Sequence, residues 1–253
     1  MRALIDADSL LYKVGFSIEN EVIWNEMEVE AGVEEEKDVA YYVDLTQCYK
    51  TFDKFVSNIL YATDCEEELL VFTGSNNFRY DLPTDYKLNR TGTRKPACYV
   101  ELLDYARLNY NTYTADGYEA DDYVVWLKSK YPDEYIVCAI DKDVVYQSVG
   151  INYNYNKDEW IKVNKEEAFK YAYYQTLMGD TSDGYKGCVG IGSVKAEKIL
   201  EGLTTKEELW QAVVETYLSK GMTEEDAVVT MRLADMTQFN GTDIVLWEPP
   251  VTP

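Results

Sequence analysis

Three short apolar runs set the frame for this chain. Residues 1–5 (MRALI), 69–73 (LLVFT) and 135–140 (YIVCAI) are each the length of a buried strand. Continuous apolar runs of this length suit strands covered on both faces. Helical spacing fills much of the remainder, over residues 10–16, 46–61, 97–108, 165–178, 205–217 and 224–233, with another helix running from the acids at 119–122 to about 130. The 46–61 segment is typical, carrying Tyr49, Phe52, Phe55, Val56, Ile59 and Leu60 on one face. Strands alternating with helices predict an α/β fold around a parallel central sheet. Residues 111–114 read as a short polar strand, and 151–155 with 160–163 as a peripheral hairpin. Residues 22–24 and 40–43 are expected to pair across the acidic stretch 19–43, which includes Glu34-Glu35-Glu36 and carries no assigned chemistry.

Two of the apolar runs lead straight into acids, at Asp6 and at Asp141-Lys142-Asp143. The carboxyl ends of strands are where open α/β sheets bind ligands. Asp6 is therefore open to two readings, a ligand for a cation or a cap for the following helix; for Asp8 and Ser9 the cap is favoured. Glu119, Asp121 and Asp122 crowd the entry to a helix, with Glu119 and Asp122 on one face at i, i+3. Acids in a first helical turn often only oppose the helix dipole, but three so close repel one another unless a cation compensates them. Asp180 and Asp183 form another pair in a turn-forming run, and paired loop carboxylates suit a hard divalent ion. Just beyond, Gly190-Ile191-Gly192 opens a helix, with Ser193 as its expected cap. A glycine turn feeding a helix start leaves backbone N–H groups for a phosphate.

The charge balance restricts the partners. The chain has 253 residues and a net charge of −22, from 46 acids and 24 bases. That sign disfavours general adhesion to nucleic acid, though clustered bases still define a binding face. Such a cluster lies at residues 75–96, where Arg79, Lys87, Arg90, Arg94 and Lys95 alternate with Phe78, Tyr80 and Tyr86. Basic residues with interleaved aromatics suit phosphate contact and base stacking. These five bases, with Lys186 and Lys195, are expected to share one face with the acids. The chain has no histidine, which removes Ser-His-Asp and Cys-His catalysis and histidine-bound zinc. Mg²⁺ or Mn²⁺ fits the remaining carboxylates better than Zn²⁺. The five cysteines lack any C-x-x-C spacing and read as reduced thiols in a cytoplasmic protein. No apolar stretch is long enough to span a bilayer, and no signal peptide begins at the N-terminus.

The string GDTSD…GCVGIGSVKAEKIL, residues 179–200, resembles the helix–three-turn–helix of the 5′-nuclease (flap endonuclease) family. The E-x-D-D at 119–122, the DKD at 141–143 followed by Gln147, and the FR…YKxNR string at 78–90 match the same family. The FTG…NFR string at 72–79 is similar to its phage-type members. The resemblance covers residues 1 to about 200. It implies a 5′-nuclease (PIN-like) parallel sheet over residues 1–164 and a helical DNA-binding module over 165–253. It also implies a metal role for Asp6, with Glu119, Asp121 and Asp122 serving one ion and Asp141, Asp143, Asp180 and Asp183 the other. Lys87 and Arg90 would engage the phosphate being cut, and Tyr86 would stack on a base. Arg79, Arg94, Lys95, Lys186, Gly190, Gly192, Ser193 and Lys195 would contact nucleic acid, with a potassium ion held by the turn. At one position the chain departs from the family. The second strand there ends Phe-Asp, whereas this one ends Phe72-Thr73-Gly74, which removes a charge from the first ion site.

The expected activity is that of a stand-alone, monomeric 5′→3′ exonuclease or 5′ flap endonuclease. Its partners would be duplex DNA with 5′ ends, flaps or nicks, and RNA–DNA hybrid in primer removal, in a bacterial or phage-infected cytoplasm. Two other classes remain. A non-catalytic DNA-structure binder is favoured if Thr73 empties the first site. A PIN-type ribonuclease is disfavoured by the glycine turn.

Overall fold

In the computed structural model, which describes residues 1–25, 30 and 38–250, the first strand forms the centre of the sheet. This strand, β1 (Arg2–Asp6), leads into α1 (Asp8–Ile18), a small hairpin of β2 (Asn20–Ile23) and β3 (Val39–Tyr42), and then α2 (Leu45–Thr63). The run Glu34-Glu35-Glu36 lies outside the described residues. Next come β4 (Glu67–Asn77), α3 (Tyr99–Asn109), β5 (Thr112–Gly117), α4 (Ala120–Lys130) and β6 (Tyr135–Cys138). They are followed by α5 (Lys142–Gln147), β7 (Gly150–Asn154) and β8 (Glu159–Val163). The sheet order is β5-β4-β1-β6-β7-β8, parallel throughout except for β8. The expected peripheral hairpin thus extends the main sheet, because β7 pairs with β6.

Alternation along the strands explains their unbroken apolar sequences. Ala3 and Ile5 of β1, with Leu70 and Phe72 of β4, pack among α1, α2 and α3. Leu4 and Val71 point the other way, against Val124 and Leu127 of α4 and Val144 of α5. Each strand is buried on both faces, and truncating a fully buried leucine such as Leu4 to alanine should cost about 2–5 kcal/mol. The β4 strand continues past the expected 73 because Thr73 and Asn77 both pair with β5 across an irregularity. Gly74 permits this, since a Cβ there would meet the Ala115 carbonyl oxygen at 2.4 Å.

The rest of the chain is mostly helical, with a ribbon of two short strands and an irregular stretch after Ala234. It comprises α6 (Lys165–Met178), β9 (Gly179–Asp180), β10 (Tyr185–Lys186), α7 (Ser193–Leu200), α8 (Lys206–Ser219) and α9 (Glu224–Ala234). Reciprocal caps start three of the helices, pairing Asn164 with Glu167, Thr205 with Glu208 and Thr223 with Asp226. An apolar cluster of its own joins Leu177 of α6, Ala196 of α7, Val213 of α8 and Met231 of α9. Among the described residues no helix is long and apolar enough to cross a membrane.

Candidate active site

The sheet order makes β1 a switch point, because its neighbours β4 and β6 are reached by connections running to opposite sides. A crevice opens at the carboxyl ends of strands arranged this way. Asp6 ends β1, Thr73 lies in β4, Asp141 follows β6, and Glu119 and Asp121 follow β5 at the start of α4. Burial pushes the Asp6 carboxyl well above its usual range, and Asp8 and Asp141 push it further. Asp121 is raised in the same way, by burial and then by Asp6, Asp141 and Glu119. Asp141 is also raised by burial, although one of its oxygens accepts the Asp143 N–H at 2.8 Å and caps α5.

The basic segment folds over this cluster, but its residues have different fates. Lys87 pairs with Glu119 and lies 3.7 Å from Asp183. Burial works against the Lys87 ammonium, yet Glu119 and Asp183 outweigh it and hold its pKa above the usual value. Glu119 would be raised by burial, but Lys87 and Arg79 outweigh it and hold the carboxyl below its usual range. Arg90 reaches Asp183 at 2.5 Å, with its side chain still 49% exposed. Asn89 ties the segment to the 181–183 turn by donating to the carbonyls of Thr181 and Ser182 at 3.1 and 3.2 Å.

Several expectations are corrected here. Tyr86 is not free to stack on a base; it is buried and donates to Glu119 at 2.6 Å and Asp183 at 3.2 Å. Arg79 is not on the surface at all. It is 0% exposed, forks onto Asp122 at 2.7 and 2.8 Å, and donates to the Leu233 and Asp235 carbonyls. Asp122 is correspondingly withdrawn from the cation cluster; it holds Arg79 and accepts the Glu119 N–H at 3.0 Å. Arg94 forks onto Glu19 and covers the Tyr41 ring at 3.7 Å. Glu19 follows α1, so Arg94 sits about 16 Å from the Asp8 end of that helix, given its 11 residues. Lys95 lies over Tyr99, 4.1 Å from the ring centre. The seven bases therefore do not share one face. Asp8 and Ser9 do not cap α1 either: Asp8 accepts the Thr73 N–H at 3.0 Å, and Ser9 bonds the Tyr155 hydroxyl.

A second group of acids stands on α5 and the turn after α6. Asp143 accepts from Tyr171 at 3.0 Å and from Gln175 at 2.9 Å, and burial with Asp141 pushes its carboxyl up to about 7. Gln175 also reaches Asp180 at 3.3 Å. Asp180 would be raised by burial, but Lys142, 2.8 Å away, overrides this and lowers it. Its other oxygen accepts the N–H groups of Ser182 and Asp183, which shapes the turn. Sequence reasoning missed Asp8, Lys142, Tyr171 and Gln175. Only Asp8 carried a signal, as a second acid two residues beyond a strand-end acid.

In the glycine turn, Gly190 has φ +74°, where glycine is favoured. Gly192, not Ser193, is the N-cap of α7. A Cβ on Gly192 would meet nothing within 4 Å, and its φ of −112° suits any residue, so packing does not require glycine there. Ser193, Lys195 and Lys186 are exposed, and the Lys195 ammonium donates to the Gly190 carbonyl at 2.8 Å.

The donor set around Asp6, Asp121 and Asp141 is made only of carboxylates, gathered against their mutual repulsion, and that chemistry fits a hard divalent cation. As the side chains stand, no three Asp, Glu, Cys or His residues among the described ones converge into a ready cation site. Lys87, Arg90 and Lys142 draw Glu119, Asp183 and Asp180 into ion pairs.

This architecture, a parallel sheet with acids at its switch point and a glycine-turn helical module beside it, is the 5′-nuclease fold. It aligns with the T5 5′-exonuclease solved with bound zinc (TM-score 0.66, 15% identity, 94% of this chain and 90% of that one). It also aligns with the catalytic core of Rad2 bound to a DNA substrate (TM-score 0.56, 13% identity, 98% and 84%). In sequence the chain is 25% identical over 223 residues to the exonuclease of Escherichia phage T7, covering 72% of this chain and 73% of that protein. The exodeoxyribonuclease of Enterobacteria phage T3 is equally similar, 25% over 224 residues. A 5′-3′ exonuclease of Bacillus subtilis matches at 27% over 155 residues, or 54% of this chain and 52% of that protein. No protein-family model matches the chain. In sequence and fold alike the chain is similar to phage-type 5′-nucleases.

Proposed function

We propose that this chain is a divalent-metal-dependent 5′→3′ exonuclease or 5′ flap endonuclease that hydrolyses phosphodiester bonds in DNA. The observation that carries the reading is the meeting of Lys87 and Arg90 with acids from separate parts of the fold, Glu119 after β5 and Asp183 in the turn between β9 and β10. Mg²⁺ or Mn²⁺ ions, held by Asp6, Glu119 and Asp121 on one side and Asp141, Asp143, Asp180 and Asp183 on the other, would supply activation of water and stabilisation of the leaving oxygen. The protein's own groups do the rest. Lys87, whose ammonium stands between Glu119 and Asp183, would present it to the scissile phosphate, where charge develops. Arg90, half-exposed, binds the same phosphate bidentately or its neighbour. Tyr86 holds Glu119 and Asp183 in place, and Gln175 does the same for Asp143 and Asp180. The N–H groups of Ser193 and Val194 start α7 without intrahelical acceptors and grip duplex backbone together with Lys186 and Lys195. DNA with 5′ ends, flaps or nicks is the substrate class, with RNA–DNA hybrid as a second, and the enzyme acts as a monomer.

The test is cleavage of 5′-labelled flap, nicked duplex and RNA–DNA hybrid across a Mg²⁺ and Mn²⁺ titration, with EDTA as control. Cleavage that requires the metal is expected, and Lys87→Ala should depress turnover more than affinity. Duplex binding with no cleavage in either metal would instead support a DNA-structure-binding protein.

A further inference from the structure

Asp8 is the acid next to the cluster whose role is unassigned. It opens α1, yet its carboxylate does not cap that helix, whose N-cap is Ala7 with no side-chain bond. Instead it crosses to the adjacent strand and accepts the Thr73 N–H at 3.0 Å. The Thr73 hydroxyl bridges both neighbours: it also hydrogen-bonds Asp8, and it accepts the Ala120 N–H at 3.0 Å, so supplying one of the partners that the start of α4 lacks. Thr73 is therefore a latch joining β4, α1 and α4, and the charge beside it comes from Asp8. Asp8 is only two residues beyond Asp6, the buried end of β1, and it is half-buried rather than solvated.

We propose that Asp8 is a cation-binding carboxylate of the Asp6–Glu119 side of the site, delivered from α1 to the position beside β4 where Thr73 brings no charge. The inference rests on the metal-dependent reading above. It also bears on Thr73→Asp. That change adds a second carboxylate against Asp8, so alone it should destabilise the metal-free protein. A helix-dipole role for Asp8 predicts something different. Removing the charge would then cost stability without metal and leave metal binding intact.

Two readouts separate these cases: calorimetric Mn²⁺ binding, and melting with EDTA or Mn²⁺, on wild type, Asp8→Asn and the exchange Asp8→Asn/Thr73→Asp. Asparagine keeps the bond to the Thr73 N–H, so the fold is preserved, and circular dichroism checks it. The account expects Asp8→Asn to weaken one Mn²⁺ site at least tenfold while melting in EDTA stays level or rises. The exchange should regain most of that affinity, because it returns the charge to the same place from β4. Wild-type Mn²⁺ affinity in Asp8→Asn, or a loss of melting temperature in EDTA with metal binding unchanged, would overturn the assignment of Asp8 alone. Absence of Mn²⁺ binding by the wild type would overturn the metal-dependent reading itself, and Asp8 with it.

Discussion

Asp121 and Asp122 are neighbours in the first turn of α4 and meet opposite environments. Asp122 has no exposed surface and is matched by a buried arginine, with both oxygens engaged by Arg79. Asp121 faces Asp6, Asp141 and Glu119, and its carboxyl is raised by burial and by those three acids, with Lys87 opposing. A helix turns about 100° per residue, so adjacent side chains leave it in different directions. One acid is thereby built into the protein's frame, and the other is left for something the chain does not itself supply. A run of acids in a sequence is thus not one feature. Its members divide by which side of the helix meets a fixed base.

Breaking the compensated side should have the largest effect. Arg79→Ala leaves Asp122 buried without its partner and frees the Leu233 and Asp235 carbonyls. Loss of one member of a buried pair costs about 3–5 kcal/mol, so chemical denaturation should show a marked loss of stability even with metal present. Little change would mean that Asp122 finds water or another partner.

On the uncompensated side, Asp121→Asn should act on chemistry and spare the fold. We expect single-turnover cleavage of a 5′ flap to fall by roughly 10²–10³, comparable to losing one group that stabilises transition-state charge, with flap binding in Ca²⁺ retained. Near wild-type cleavage would reduce Asp121 to a dipole partner.

The pH dependence of the metal-free protein is a smaller effect of the same imbalance. Asp143 is pushed up to about 7, and Asp6, Asp121 and Asp141 are raised as well. A carboxyl with a folded pKa above its unfolded value binds its proton more tightly in the folded chain. Its contribution is fully present below about pH 4 and is lost as pH rises through the folded value, near 7 for Asp143. Melting in EDTA should therefore fall from pH 5 to 8, and millimolar Mg²⁺ should flatten the trend. A profile that rises over this window would contradict the raised acids.

The smallest effect concerns the glycine turn, remote from both acids. Lys195→Ala should reduce the slope of log K against log salt for duplex binding by about one unit, with little change in single-turnover rate. An unchanged slope would assign Lys195 to closing the Gly190 carbonyl alone.

Strand ends and helix faces were legible in the sequence because burial on two faces writes itself into consecutive apolar residues. The acids at Asp6 and Asp141 were legible as strand ends for the same reason. Arg79 was not: a base in a polar, turn-rich segment looks like Lys87 or Arg90 until the tail at 233–236 returns to cover it. Asp122 was misjudged with it, since nothing local distinguishes the acid that meets Arg79 from the one beside it. Arg94 likewise found its partner in Glu19, which lies 75 residues away. Gln175 and Tyr171 carry no charge to mark them, and their role depends on α6 passing Asp143.

The most direct test sets the two neighbouring acids against each other. Wild type, Asp121→Asn and Asp122→Asn would be melted in EDTA and in saturating Mn²⁺. The account predicts that Asp121→Asn melts at or above the wild type in EDTA and gains much less from Mn²⁺. Asp122→Asn should melt well below the wild type in EDTA, with Arg79 left under-compensated, and keep the wild-type gain from Mn²⁺. If the Mn²⁺ gain were lost in Asp122→Asn and kept in Asp121→Asn, the division between framework acid and cation-binding acid would be wrong.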